Sequence, residues 1–139
     1  MILLKELKES DLPFLLEIRN DDSTRKNLEN DTIFSLDECI SWFRNTKPIW
    51  FVIYNNEQKV GYFRTSQEEV GCDIHPNYRR LGFAKSAYTK YLENKKYATL
   101  WVFEDNFAIN LYKSLGFKEN GEKKIIRNRK YIQMIYGKK

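Results

Sequence analysis

Between Ile74 and Tyr91 the stretch IHPNYRRLGFAKSAYTKY changes its hydrophobic period, and that change restricts the fold more than any other part of the chain. Up to Ile74 the apolar residues Val70, Cys72 and Ile74 alternate as on a strand, whereas Phe83, Ala84, Ala87, Tyr88, Tyr91 and Leu92 recur at helical spacing. Pro76 removes a backbone donor and ends the strand, and Gly82 lets the backbone come close to whatever lies in front of it. The segment therefore reads as a strand end, a turn at His75-Pro76-Asn77, a basic loop and a helix. Free amide hydrogens at the helix start, with Arg79 and Arg80 beside them, suit a phosphate or pyrophosphate. The same residues would serve equally as a basic surface turn leading into an amphipathic helix.

The remaining chain supplies layers around this connection. Residues 1–7 read as a short first strand. Ser10, Asp11 and Pro13 open a helix carrying Leu12, Leu15, Leu16 and Ile18, which ends at the turn formers of residues 19–23. Residues 24–33 are polar and read as a loop with at most a helical turn. Ser35 and Glu38 form a capping box for a helix with Leu36, Cys39, Ile40 and Phe43 on its inner side, stopping before Pro48. Residues 50–54 and 60–64 form a hairpin, and Glu69–Ile74 is a third strand in which Gly71 marks a bulge or a close approach. After the central helix come an apolar strand at 98–103 and a helix with Phe107, Ala108, Leu111, Tyr112 and Leu115 on one face, stopped by Gly116. Two strands near 117–126 and 130–136 close the chain.

The order is β-α-α-β-β-β-α-β-α-β-β, a mixed α/β layout. Strand–helix–strand after Glu69 requires a parallel pair with a right-handed crossover inside an otherwise antiparallel, helix-flanked sheet. A chain of 139 residues provides for a single domain over its whole length.

Composition narrows the partners. No apolar run approaches the roughly 20 residues of a membrane span, and MILLKELKESD has no cleavable signal pattern, so a cytoplasmic protein with no membrane partner is expected. Cys39 and Cys72 fit no metal spacing and are expected as free thiols, with no metal bound. A net charge of +5 argues for an anionic partner without choosing one. Residues 123–130, KKIIRNRK, invite nucleic acid. They also alternate like a strand with one solvated face, and no nucleic-acid partner is expected.

Two motifs carry a family resemblance. Arg79-x-x-Gly82-x-Ala84 resembles the (Gln/Arg)-x-x-Gly-x-(Gly/Ala) signature of the GCN5-related N-acetyltransferases (GNAT). Residues 106–117, NFAINLYKSLGF, are similar to that family's Asn-x-x-Ala-x-x-x-Tyr-x-x-x-Gly-Phe region, departing by one residue because Ala108 follows Asn106 by two. The resemblance covers almost the whole chain, and the strand and helix order is also the family's. It implies an enzyme that takes acetyl-CoA as co-substrate. The pyrophosphate would lie on the loop Arg79, Arg80, Leu81 and Gly82 and the helix start Phe83, Ala84 and Lys85. The pantetheine arm would pair with the strand at Cys72 and Ile74, and Asn106 and Ala108 would contact the coenzyme. Tyr112 would be the acid that protonates the departing thiolate. Its alternative is simple membership of the apolar face that begins at Phe107.

The base and the acceptor are less marked. Glu68, Glu69 and Asp73 lie on or before the expected thioester strand, and Glu69 ranks first among them. His75, the only histidine, stands beyond the strand beside Pro76, where a turn role is expected. Arg19, Asn20, Arg25, Trp42 and Phe43 loosely resemble the amino-sugar-nucleotide and ribosomal-protein N-terminal branches of the family. Arg19 and Arg25 are expected to hold an anionic acceptor, with solvated surface arginines as the alternative. The expected reaction acetylates a primary amine, on a small molecule (an amino-sugar nucleotide favoured over a polyamine) or on a protein N-terminus, by a monomer or homodimer. A CoA-binding module without catalysis and a basic nucleic-acid binder are the competing readings.

Overall fold

Apolar alternation in the middle of the chain builds a sheet, and the polar last hairpin finishes it. In the computed structural model, which describes residues 1–139, seven strands form one sheet. They are β1 (Ile2–Glu6), β2 (Phe51–Asn55), β3 (Gln58–Ser66), β4 (Glu69–Ile74), β5 (Tyr97–Phe103), β6 (Lys118–Ile126) and β7 (Arg129–Gly137), in the spatial order β1-β2-β3-β4-β5-β7-β6. Only β4 and β5 run parallel, joined by the expected crossover through α4 (Phe83–Leu92). The charged β6 takes the outer edge, and β7, with Tyr131, Ile132 and Met134 buried, is inserted against β5. Placing charge on an edge strand also discourages pairing with a second chain.

Two apolar layers cover the two faces. Phe63, Val70, Ile74, Leu100, Val102, Ile132 and Met134 meet Ala87, Tyr88 and Leu92 of α4, with α5 (Ala108–Ser114) beside them. On the opposite face Val52 and Tyr62 meet Leu12, Leu15 and Ile18 of α1 (Leu12–Arg19) and Cys39 of α3 (Leu36–Thr46). The capping box of α3 forms as expected: Glu38 N donates to Ser35 Oγ at 3.1 Å and Ser35 N to Glu38 Oε1 at 2.9 Å. Lys47 turns left-handed to end the helix before Pro48. One short helix, α2 (Asp22–Arg25), runs from the expected turn at 19–23 into the first two residues of the segment expected as a loop with at most a helical turn, capped by Asp21 accepting from Ser23 N at 3.0 Å.

One irregularity positions everything that follows. β4 and β5 pair only at Glu69 and Thr99, supported by Thr99 N donating to Glu68 O at 2.9 Å. Beyond that point the strands part, and the β5-side main chain of β4 has no strand partner. Gly71 is not a bulge, since β3 and β4 keep register through Arg64 opposite Gly71. It is a close approach, because a Cβ there would run into the Arg64 guanidinium.

Candidate active site

Where β4 and β5 part, a cleft of about 960 Å³ opens through the sheet. One wall is the loop before α4. After a single helical turn at Pro76–Tyr78, Arg80 and Gly82 take left-handed backbone angles, φ +63° and +81°. The amides of Leu81 through Lys85 then donate to nothing in the protein, while the next amide, Ser86 N, bonds Gly82 O at 3.1 Å. These are the unsatisfied donors of a helix start, where the dipole also favours an anion. A Cβ on Gly82 would meet no atom within 4 Å, so the loop backbone faces open space.

The side chains along this wall divide by task. Arg79 donates through Nε to Ile74 O at 3.1 Å, through Nη1 to Ser23 Oγ at 2.5 Å and through Nη2 to Thr24 Oγ1 at 2.7 Å. Its fork therefore ties the end of β4 to α2 and holds the loop in shape. Arg80, Phe83, Ala84 and Lys85 line the cleft, and neither Arg80 nor Lys85 has an acidic partner. Leu81 points away and is 62% exposed.

The second wall is α5 with the loop before it. Asn106 Oδ1 accepts from Ala108 N at 2.9 Å, which leaves its amide donors unbonded beside the cleft. Tyr112 packs edge-on against Tyr88, with ring centroids 5.4 Å apart, and against Phe117 at 6.1 Å. Burial pushes its phenol up to about 12, the neighbouring Tyr88 hydroxyl offsetting part of the rise. At neutral pH it is a protonated donor. Cys72 faces the same side, and burial pushes its thiol well up, so it stays protonated and does not serve as a nucleophile.

The opposite face of β4 carries Asp73, in the cleft beside Arg64, Trp101 and Tyr131. Glu69 is not brought there. It stands where β4 still touches β5, exposed, in a separate shallow groove with Ser66, Gln67, Glu68 and Thr99. Alternation puts residues 69 and 73 on one face, but only the second lies past the point of separation. Glu68 pairs with Lys139 at 3.3 Å. His75 has a turn role: Nδ1 accepts from Asn77 N at 3.1 Å and the ring stacks on Phe14 at 5.9 Å.

Arg19 and Arg25 are likewise outside the cleft. Arg19 donates to Thr32 O at 3.1 Å and Asn30 O at 2.6 Å, and Arg25 to Asn20 O and Asp31 O, both at 3.2 Å. Both guanidinium groups fold the segment after α2. From its other side that segment is held by the last hairpin: Arg127 donates to Leu28 O at 2.6 Å and Glu29 O at 2.9 Å, and Arg129 to Asn27 Oδ1 at 3.1 Å and Asp105 Oδ1 at 2.7 Å. The two arginines of the basic run that invited nucleic acid thus bond other segments of the same chain. Arg64, Trp101, Tyr131 and Arg129, all lining the cleft, carry no local sequence signal, because their placement depends on strand register and long-range pairing.

No group of His, Cys, Asp and Glu is arranged to hold a metal ion, and no helix is long and apolar enough to cross a membrane.

Comparison with known proteins gives a family and a fold. Residues 6–117 match the profile of the Acetyltransferase (GNAT) family. The fold is similar to that of spermidine N-acetyltransferase from Vibrio cholerae, solved in complex with CoA and spermine. There the TM-score is 0.87 and the identity 22%, over 96% of this chain and 94% of that one. It is also similar to ribosomal-protein-alanine N-acetyltransferase from Brucella melitensis, with a TM-score of 0.78 and 23% identity over 98% and 99% of the two chains. A putative acetyltransferase from Salmonella typhimurium, solved with acetyl-CoA, superposes with a TM-score of 0.74 at 18% identity, over 98% and 93%. No curated protein matches by sequence.

Proposed function

The chain belongs to the GNAT acetyltransferase family, and from that premise we propose that its cleft carries an acetyl group from acetyl-CoA to the primary amine of a small, anion-bearing acceptor. The observation that carries the reading is the parting of β4 and β5, with unbonded amides on one wall and a protonated tyrosine on the other. Acetyl-CoA supplies an acetyl thioester and a pyrophosphate.

The amides of Leu81, Gly82, Phe83, Ala84 and Lys85 fit the pyrophosphate, with charge added by Arg80 and Lys85. Arg79 acts by holding the loop. The unpaired main chain of β4 at Cys72 and Ile74 offers strand-like hydrogen bonds to the amides of the pantetheine arm. Asn106 adds side-chain donors, and Ala108 a small wall that leaves room. In the reaction the amine nitrogen bonds the acetyl carbon and the C–S bond breaks toward sulfur. Tyr112 gives sulfur its proton, and the proton lost from nitrogen leaves through Asp73 or water. Asp73 takes the place expected of Glu69 because it is the carboxylate of the cleft's open part.

Charge supports the acceptor class. Asp73 and Asp105 are the cleft's carboxylates, and each is paired with an arginine, while Lys26, Arg80 and Lys85 add uncompensated positive charge. Such a site repels a polycation and attracts an amine carrying carboxylate or phosphate, an amino-sugar nucleotide among them. The test is acetyl-CoA-dependent thiol release across amino-sugar phosphates and nucleotides, short peptides and polyamines. Anionic amines are expected to be turned over fastest. Fastest turnover of polyamines would reverse the charge argument, and acetyl-CoA binding without release from any amine would leave a binding module.

A further inference from the structure

On the face of the sheet turned away from Tyr112, three buried polar atoms have no well-aligned hydrogen-bond partner: Tyr62 Oη, which lies beside the Asp73 carboxylate, Arg64 Nε and Asp73 Oδ2. They belong to one cluster. Tyr62 stands opposite Asp73 in the β3–β4 register, and Arg64 stands opposite Gly71. With no side chain at Gly71, the Arg64 guanidinium lies across the strand toward Asp73, its Nε 3.4 Å from Oδ2 but out of hydrogen-bond alignment. Natural interiors rarely leave such groups unsatisfied, and one explanation of an exception is a catalytic role.

The outer end of Arg64 is open to the cleft. Its terminal nitrogens donate no hydrogen bond, and its side chain is 37% exposed, into the cleft. The forks of Arg79 and Arg129 are committed to protein oxygens, and Arg80 lies out on the phosphate loop. Arg64 is thus the one guanidinium deep in the cleft with a free fork. Burial works against its charge, but the Asp73 carboxylate outweighs that and holds it protonated. Beside it Trp101 and Tyr131 stack at 5.5 Å and 16°, a flat apolar wall.

We infer that Arg64 is the anchor of the acceptor, taking two oxygens of a carboxylate or phosphate on the same molecule as the amine and setting that amine beside Asp73. The planar fork suits two such oxygens, and Trp101 and Tyr131 fit the body of the acceptor. This rests on the acetyltransferase reading and narrows it: the acceptor is an amine with an anionic oxo group in reach of β3.

The test uses matched amines on the acetyl-CoA-saturated protein, read by thermal shift and by kcat/KM. L-Phenylalanine is set against L-phenylalaninamide, and ethanolamine phosphate against ethanolamine. The wild type should favour the charged member of at least one pair by about 10–100-fold, the range expected for a charge-assisted hydrogen-bonded pair. Which pair responds separates a carboxylate from a phosphate. In Arg64→Gln the preference should fall to within about 3-fold of unity, chiefly through KM, and Arg64→Lys should restore part of it by keeping the charge without the fork. Absence of any preference in the wild type by both readouts overturns the anchor without needing a variant. So does a preference that survives Arg64→Gln, or a loss that appears equally with charged and neutral amines. Failure of the wild type to bind acetyl-CoA would overturn the acetyltransferase reading itself.

Discussion

Tyr112 carries two roles that one substitution separates. Its ring fills the space between Tyr88 and Phe117, and its hydroxyl is the proton donor of the proposed reaction. Tyr112→Phe keeps the ring, so the melting temperature should change little. The lost donor acts as charge builds on sulfur, so kcat should fall by about 10²–10⁴-fold while acetyl-CoA affinity stays near that of the wild type. Steady-state kinetics with calorimetry reads both, and near-normal turnover would remove Tyr112 from the mechanism. Gly82 stood out in the sequence through the turn and helix start around it, whereas Tyr112 and Asn106 stood out through the resemblance of residues 106–117 to the family motif. Asp73 was not distinguished from Glu69, since alternation gives the face of a strand but not the point where its neighbour departs. Arg64 was invisible for a related reason: its role needs Gly71 directly across the ladder.

At the scale of elements, the segment after α2 is held by arginines from both ends of the chain rather than by its own sequence. Arg19 and Arg25 bond its carbonyls from α1 and α2, and Arg127 and Arg129 reach it from β7 and the turn before it. That explains why residues 24–33 gave no pattern, while α3, closed by Ser35 and Glu38 within one turn, was legible. The two devices predict different behaviour. Ser35→Ala should lower stability by about 1 kcal/mol, the usual worth of an N-cap, with no change in kinetics. Arg127→Ala frees the carbonyls of Leu28 and Glu29 and loosens a wall of the cleft. It should raise the acceptor KM several-fold while acetyl-CoA affinity holds. Urea titration and initial rates check both, and an equal loss of coenzyme affinity in Arg127→Ala would place the segment at the coenzyme instead.

For the whole molecule, the element order was readable because each element announces its period, whereas the insertion of β7 between β5 and β6 was not. Strand order depends on which face finds cover, and only the charge of β6 hints that it belongs outside. The core that results is rich in tyrosine. Burial raises the phenols of Tyr62 and Tyr88 well above their ordinary value and those of Tyr112 and Tyr131 to about 12. A folded value above the unfolded one, about 10, means that this contribution to stability is complete below pH 10. It is then lost as pH rises through 12, because the unfolded chain releases those protons first. The melting temperature should therefore drop steeply above pH 10, and tyrosinate absorbance should appear with unfolding. Titration of these phenols near pH 10 in the folded protein would contradict the packing.

The central claim is that the parted strands and the amides of Leu81 through Lys85 form an acetyl-CoA site, and calorimetric titration with acetyl-CoA tests it most directly. Gly82→Ala carries only the strain of a side chain at φ +81°, and Gly82→Glu adds bulk and negative charge where the pyrophosphate would lie. The account predicts one site on the wild type, a modest loss for Gly82→Ala and a loss of more than about 10-fold for Gly82→Glu, the scale of one charge-assisted contact. A folded Gly82→Glu that binds acetyl-CoA as tightly as the wild type would contradict it.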